Sequence, residues 1–202
     1  MTSQSGNFFQ KKTVVVQPIV LVILITSITA FLLACVSLGI PTWRDSTVDA
    51  ILTRTVSTHT YSGLWATCSH EEVRSSRMWS CSSFITDGAK GYTPSLRACQ
   101  GCSVLGTMFS AVVVAVVVAK LCCFKNAQVV TIAIAVCSII AATFLIVSVV
   151  TYSIQVRTDQ GFNAEDFSTG IYITIVSIVF LVISGVLAIF GYSMDKGMES
   201  KY

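Results

Sequence analysis

Four long runs without a single Asp, Glu, Lys, Arg or His divide this chain: Val14–Ile40, Gly101–Ala119, Gln128–Tyr152 and Gly170–Tyr192. A helix needs about 20 apolar residues to cross a hydrocarbon core, and each run is of that order. Lipid offers no partner to a free backbone N–H or C=O, so such runs must be helices even where Val and Ile dominate them. Ser138 with Ala142, and Ser184 with Ala188, have the small-xxx-small spacing that lets two helix backbones approach. The runs leave polar intervals at residues 1–13, 41–100, 120–127, 153–169 and 193–202.

Only the interval 41–100 is large enough to fold by itself. Within it TVDAILTRTVSTHTYSGLWATC is rich in Thr, Val, Ile, Tyr and Trp, and RMWSCSSFI has the same character. Such residues fit a pleated surface, so a small antiparallel sheet is expected there. A sheet of this size has little core of its own and calls for a staple.

Composition agrees with a membrane protein. The chain has 202 residues, of which 53% are hydrophobic and 11% charged, with a net charge of +3. Its mean hydropathy of +0.76 lies outside the range of a water-soluble domain. The positive charge is spread out, with no basic stripe carrying interleaved aromatics, which excludes a nucleic-acid partner. Lys11 and Lys12 before the first run look like the start of a signal peptide, and LLAC at Leu32–Cys35 like a lipoprotein cleavage box. The apolar run is too long for the 7–15 residues typical of a signal peptide, so it is read as a retained helix. Lys11, Lys12, Lys120, Lys125, Lys196 and Lys201 fall on one side of the four-helix order and Arg157 on the other, which puts both termini in the cytosol. Residues 41–100 and 153–169 then lie outside.

Cys68 and Cys81 are the two cysteines well away from the apolar runs, on the side expected to be oxidising. A bond closing a loop of about 13 residues would contribute roughly 3 kcal/mol in the loop-entropy model, although spacing alone does not establish one. Taken together, Trp43 after the first helix, Gly63-Leu64-Trp65, Cys68 and Cys81 form a W-GLW-C-C pattern in the first outer loop of a four-helix chain, with Arg97 just before the second helix. This resembles the claudin family, across essentially the whole chain. The interval SHEEVRSSRMWS between the two cysteines is longer than usual there, which implies a divergent member.

The resemblance implies an integral membrane protein: a left-handed bundle of four transmembrane helices carrying a small antiparallel extracellular β-sheet. It implies a disulfide between Cys68 and Cys81 that joins neighbouring strands. Trp43, Gly63, Leu64 and Trp65 would seat the sheet on the outer helix ends, where an amphipathic indole is at home. It further implies a plasma-membrane protein of cell–cell junctions that pairs with itself or other claudin-like proteins, in one membrane and across two. Its role would be adhesion and a paracellular barrier or pore. Ser82, Ser83 and Phe84 follow Cys81, and residues 41–97 hold six basic residues against five acidic ones, which favours a barrier over a charge-selective pore.

Two other classes of function compete. Auxiliary γ-type channel subunits share the helix count and the loop pattern but commonly have longer cytosolic tails. Cys99-Gln-Gly-Cys102 is a C-x-x-C that would suit a membrane thiol–disulfide oxidoreductase, yet no neighbouring His or Lys would activate a thiolate. The expectation is therefore no enzyme activity and no catalytic residues, metal, cofactor or small-molecule substrate. Cys122 and Cys123 are placed for juxtamembrane S-palmitoylation. The terminal Ser200-Lys201-Tyr202 is a candidate for a PDZ scaffold groove.

Overall fold

The computed structural model describes residues 5–49, 56–73, 76–84, 93–123, 128–160 and 167–199. In chain order these form α1 (Ser5–Gly39), β1 (Arg44–Asp49), β2 (Val56–Ser62), β3 (Ala66–Val73), β4 (Ser76–Ser83), α2 (Pro94–Cys122), α3 (Gln128–Gln160) and α4 (Thr169–Glu199). The expected combination of four membrane-length helices and a small antiparallel sheet is present. The membrane-length spans are Pro18–Gly39, Pro94–Cys122, Gln128–Gln155 and Thr169–Met194.

The helices run further than the apolar stretches that announce them. α2 starts at Pro94 rather than near Gly101, so two helical turns occupy what reads as loop in the sequence. Thr93 is its N-cap: its hydroxyl accepts the backbone N–H of Leu96 at 3.3 Å. Proline follows at the first helical position, where its missing N–H costs nothing. α3 likewise continues to Gln160, eight residues past Tyr152.

Burial along the helices follows a 3–4 spacing. On α1 the buried positions are Val20, Ile23, Ser27, Ala30, Ala34 and Ser37; on α4 they include Thr174, Ser177, Leu181, Ser184 and Ala188. A repeat of 3.5 residues is the seam of coiled-coil packing, with each residue seated between neighbours on the facing helix. The seams mix small and hydroxyl residues with a few of Val, Ile and Leu, while many other Leu, Ile and Val side chains face outward. Lipid tails are as apolar as leucine, so burying leucine gains little there; close approach and interhelical hydrogen bonds must hold the helices together.

The fold divides into two compact units. The first comprises residues 1–32, 106–143 and 177–202. Here the hydroxyls of Ser27 and Ser184 meet at 2.7 Å, and Ser177 Oγ donates to the carbonyl of Ala30 at 2.7 Å. A Cβ on Gly185 would lie 3.4 Å from that of Ser138, so this glycine lets α3 and α4 touch. Val20, Ile23, Val113, Val117, Ile134 and Ala188 form its apolar cluster. The buried Lys120, in the last turn of α2, donates its ammonium to Thr131 Oγ1. That position suits a cation, because the helix dipole is negative there.

The second unit comprises residues 33–105 and 144–176. It contains the sheet, whose strand order is β1-β2-β3-β4, with every neighbour antiparallel. It also contains a second apolar cluster of Trp43, Leu64, Leu96, Cys99, Tyr152 and Ile171. Strand and helix residues meet in that cluster, which is where the sheet gains the core it lacks.

Candidate functional site

A helix leaves its last four carbonyls without intrahelical partners, and near a membrane surface each needs another donor. α1 resolves this with residues from the strand region. The carbonyl of Val36 accepts the N–H of Ile40 at 3.0 Å. The next, of Ser37, accepts the indole N–H of Trp43 at 2.8 Å, and the one after, of Leu38, accepts that of Trp65 at 2.8 Å. Both tryptophans of the W-GLW pattern therefore act as C-terminal caps of the first helix.

Trp43 is only 1% exposed. Its ring meets that of Tyr152 edge-on at 5.2 Å, a favourable arrangement for the aromatic quadrupoles. Its backbone joins the same assembly: N–H to the carbonyl of Ser62 at 3.0 Å, and C=O from the N–H of Ser168 at 3.1 Å. Tyr152 also donates its hydroxyl to the carbonyl of Ser62 at 3.3 Å.

Leu64 and Trp65 form the tip of the hairpin that joins β2 to β3, closed by a hydrogen bond from Gly63 N–H to the carbonyl of Ala66 at 2.9 Å. The tip is apolar because it is buried, with Leu64 0% exposed in the mixed cluster. Burying the tip leaves the Leu64 carbonyl in need of a donor, and the side chain of Gln100 on α2 supplies one at 2.6 Å. Gln100 is not part of the W-GLW-C-C pattern, which points to Arg97 instead. Arg97 is exposed on α2, one helical turn earlier. The signal that could have found Gln100 is a polar side chain set at the start of an apolar run, between two cysteines.

Two glycines make room for this packing. A Cβ on Gly63 would lie 2.6 Å from Pro41 Cα and 2.9 Å from its carbonyl carbon, both rigid backbone atoms. A Cβ on Gly170, at the start of α4, would lie 2.6 Å from Trp43 Cδ1 and 2.8 Å from the carbonyl oxygen of Thr42. Gly170 N–H donates to that same Thr42 oxygen at 2.8 Å, and its carbonyl accepts from Ser37 Oγ at 2.9 Å. Phe167 adds a β-bridge to Arg44, so the end of the polar interval 153–169 pairs with the first residue of β1.

Above this seat Cys68 and Cys81 are directly paired across β3 and β4 and joined by a disulfide. Their Cα atoms are 4.1 Å apart, the closely spaced kind of antiparallel pair. Cys99 and Cys102 are free thiols. Cys99 is buried, with its sulfur 3.1 Å from Ser148 Oγ, which makes it a packing residue of the α2–α3 contact. Cys122 and Cys123 are exposed at the end of α2. Ser200, Lys201 and Tyr202 lie outside the described residues.

The site thus has the chemistry of a structural joint: indole caps, a buried amide, close glycine contacts and a stapled sheet. No curated protein matches the chain. The PMP-22/EMP/MP20/Claudin family profile, however, matches residues 16–188, a range that takes in the first three membrane-length spans, most of the fourth, the sheet and the whole tryptophan seat. The chain therefore belongs to the PMP-22/EMP/MP20/Claudin family.

Proposed function

We propose that this protein is a claudin-like component of cell–cell junctions, contributing to adhesion and to a paracellular barrier, with both termini in the cytosol and the sheet outside. The observation that supports this reading is the seated sheet itself. A four-stranded sheet stapled by one disulfide and fixed to helix ends by two indole caps is a rigid platform, and a rigid platform loses little entropy when it meets another molecule. The strand carrying the second cysteine, Ser76–Ser83, has Arg77 as its one charged residue and no acid. That favours a barrier over a cation-selective pore. In this reading the partners are further copies or other claudin-like chains. In the same reading Cys122 and Cys123 carry palmitate at the inner membrane surface, and Ser200, Lys201 and Tyr202 bind PDZ scaffolds.

Expression in cells that lack such proteins tests the reading. The protein should gather at cell borders and raise transepithelial resistance. Diffuse surface distribution with unchanged resistance, together with co-purification of an ion channel, would instead assign it to the auxiliary-subunit class.

A further inference from the structure

The chain has two histidines among its 202 residues, and the fold sets them against each other. The hairpin closed at Leu64–Trp65 fixes the register of β2 and β3 so that His59 pairs with His70, and His70 pairs in turn with Trp79 on β4. Residues directly opposite in an antiparallel sheet share a face, so both imidazoles and the indole stand in one row. The two imidazole centres are 6.4 Å apart with their planes at 46°. The His70 ring lies 4.8 Å from that of Trp79, which also stacks on Tyr61 at 6.3 Å. The row is open: both histidines are partly exposed and Trp79 is 63% exposed. None of these four side chains takes part in the tryptophan seat.

We propose that His59 and His70 form a two-histidine binding site for a borderline divalent transition-metal ion, Zn2+, Cu2+ or Ni2+, on the open face of the sheet. Neutral imidazole is the side chain best matched to these ions. With metal–nitrogen bonds of about 2.0–2.1 Å, two imidazoles on one ion have ring centres roughly 4.5 Å apart at a right angle at the metal, about 5 Å at a tetrahedral angle and about 6.5 Å when opposite each other. The observed 6.4 Å lies at the wide end, so the two partly exposed rings turn toward each other about their side-chain bonds to share an ion. Contact with Trp79 restricts the His70 ring and reduces the ordering required on binding. Among the described residues no group of three His, Cys, Asp or Glu stands together as a metal cluster. With two imidazoles, the site differs from a structural zinc centre with four protein ligands. An ion held there bridges β2 to β3 in the row next to the disulfide, on the face offered to the surroundings.

The test uses the full chain in detergent, titrated with ZnCl2 by calorimetry and with CuCl2 by tryptophan emission. Saturable binding of one ion per chain is expected, with Cu2+ quenching the exposed Trp79. His59→Gln and His70→Gln should each weaken binding roughly tenfold or more, because each removes one of two protein ligands. Trp79→Phe should keep the calorimetric signal and lose most of the quenching. On the unmodified protein, Zn2+ should protect both histidines from diethyl pyrocarbonate, a readout independent of whether the variants fold. Equal modification with and without the ion, or unchanged affinity in both histidine variants, would overturn the proposal.

Discussion

Trp43 and Trp65 donate their indole N–H groups to adjacent carbonyls of one helix, those of Ser37 and Leu38, each at 2.8 Å. The two rings come from just before β1 and just after β2, so the end of α1 is held by residues that flank the first two strands. Replacing either indole by phenylalanine keeps most of the ring and removes the donor. Trp43→Phe is expected to cost about 1–3 kcal/mol, the range for leaving a buried acceptor unsatisfied. Trp65→Phe should cost less, because Trp65 is only partly buried and water can replace its N–H. Thermal unfolding in detergent reads this directly; equal losses would show that ring packing, not capping, sets the energetics.

The close glycines make a sharper prediction, because the same structure supplies controls. Gly63→Ala and Gly170→Ala place a methyl group within 2.6 Å of Pro41 Cα and of Trp43 Cδ1, and should destabilise by about 1–3 kcal/mol as overpacking does. Gly39→Ala and Gly101→Ala meet nothing within 4 Å. Gly101→Ala lies inside α2 and should be neutral or stabilising by up to about 1 kcal/mol, through helix propensity. Yield of monodisperse protein and melting temperature would rank the four; a common effect would remove the steric explanation.

Gln100 and Arg97 separate a joint residue from a surface residue. Gln100→Leu removes the donor to the buried Leu64 carbonyl, with an expected cost of about 1–3 kcal/mol. Arg97→Ala, at an exposed position, should change stability by about 0.5 kcal/mol or less. Denaturation of the two variants side by side decides the order, and a larger loss for Arg97→Ala would reverse the assignment.

Cys68→Ser breaks the disulfide cross-link between β3 and β4. A loss of about 2–4 kcal/mol is expected, with disappearance of the mobility difference between reduced and oxidised protein. Delivery to the cell surface should fall in parallel. Normal delivery of the Ser variant would mean that the tryptophan seat alone holds the sheet.

The sequence showed the helices clearly and the joint only in part. A charge-free run of about 20 residues has one solution in lipid, so the four spans could be read without knowing any contact. The tip of the hairpin could not. Leu64 and Trp65 have strand-forming character and read as part of one long strand-rich stretch. They turn out to be the connection between two strands because Leu64 is drawn into a cluster with residues of α2, α3 and α4. Gly170, Gln100 and the hydroxyl positions of the seams other than Ser138 and Ser184 are not legible for a related reason. A Ser in an apolar helix looks alike whether it bonds its own preceding turn, as Ser138 does to Ile134, or a facing helix, as Ser177 does to Ala30. The His59–His70 pair likewise exists only once the hairpin tip has set the register, since a slip of one residue would send the two rings to opposite faces.

The capping of α1 by later residues also sets an order on synthesis. When α1 has just entered the membrane, its Ser37 and Leu38 carbonyls have only water to bond, because neither Trp43 nor Trp65 is yet in place. Sheet formation completes that turn, and the arrival of Gly170 brings Ser37 Oγ and the Thr42 carbonyl their partners from α4. The first helix is therefore finished by residues made after it: a nascent chain in which Trp43 and Trp65 have not yet docked exposes wet, unfinished backbone at the end of α1, a mark by which immature copies differ physically from mature ones.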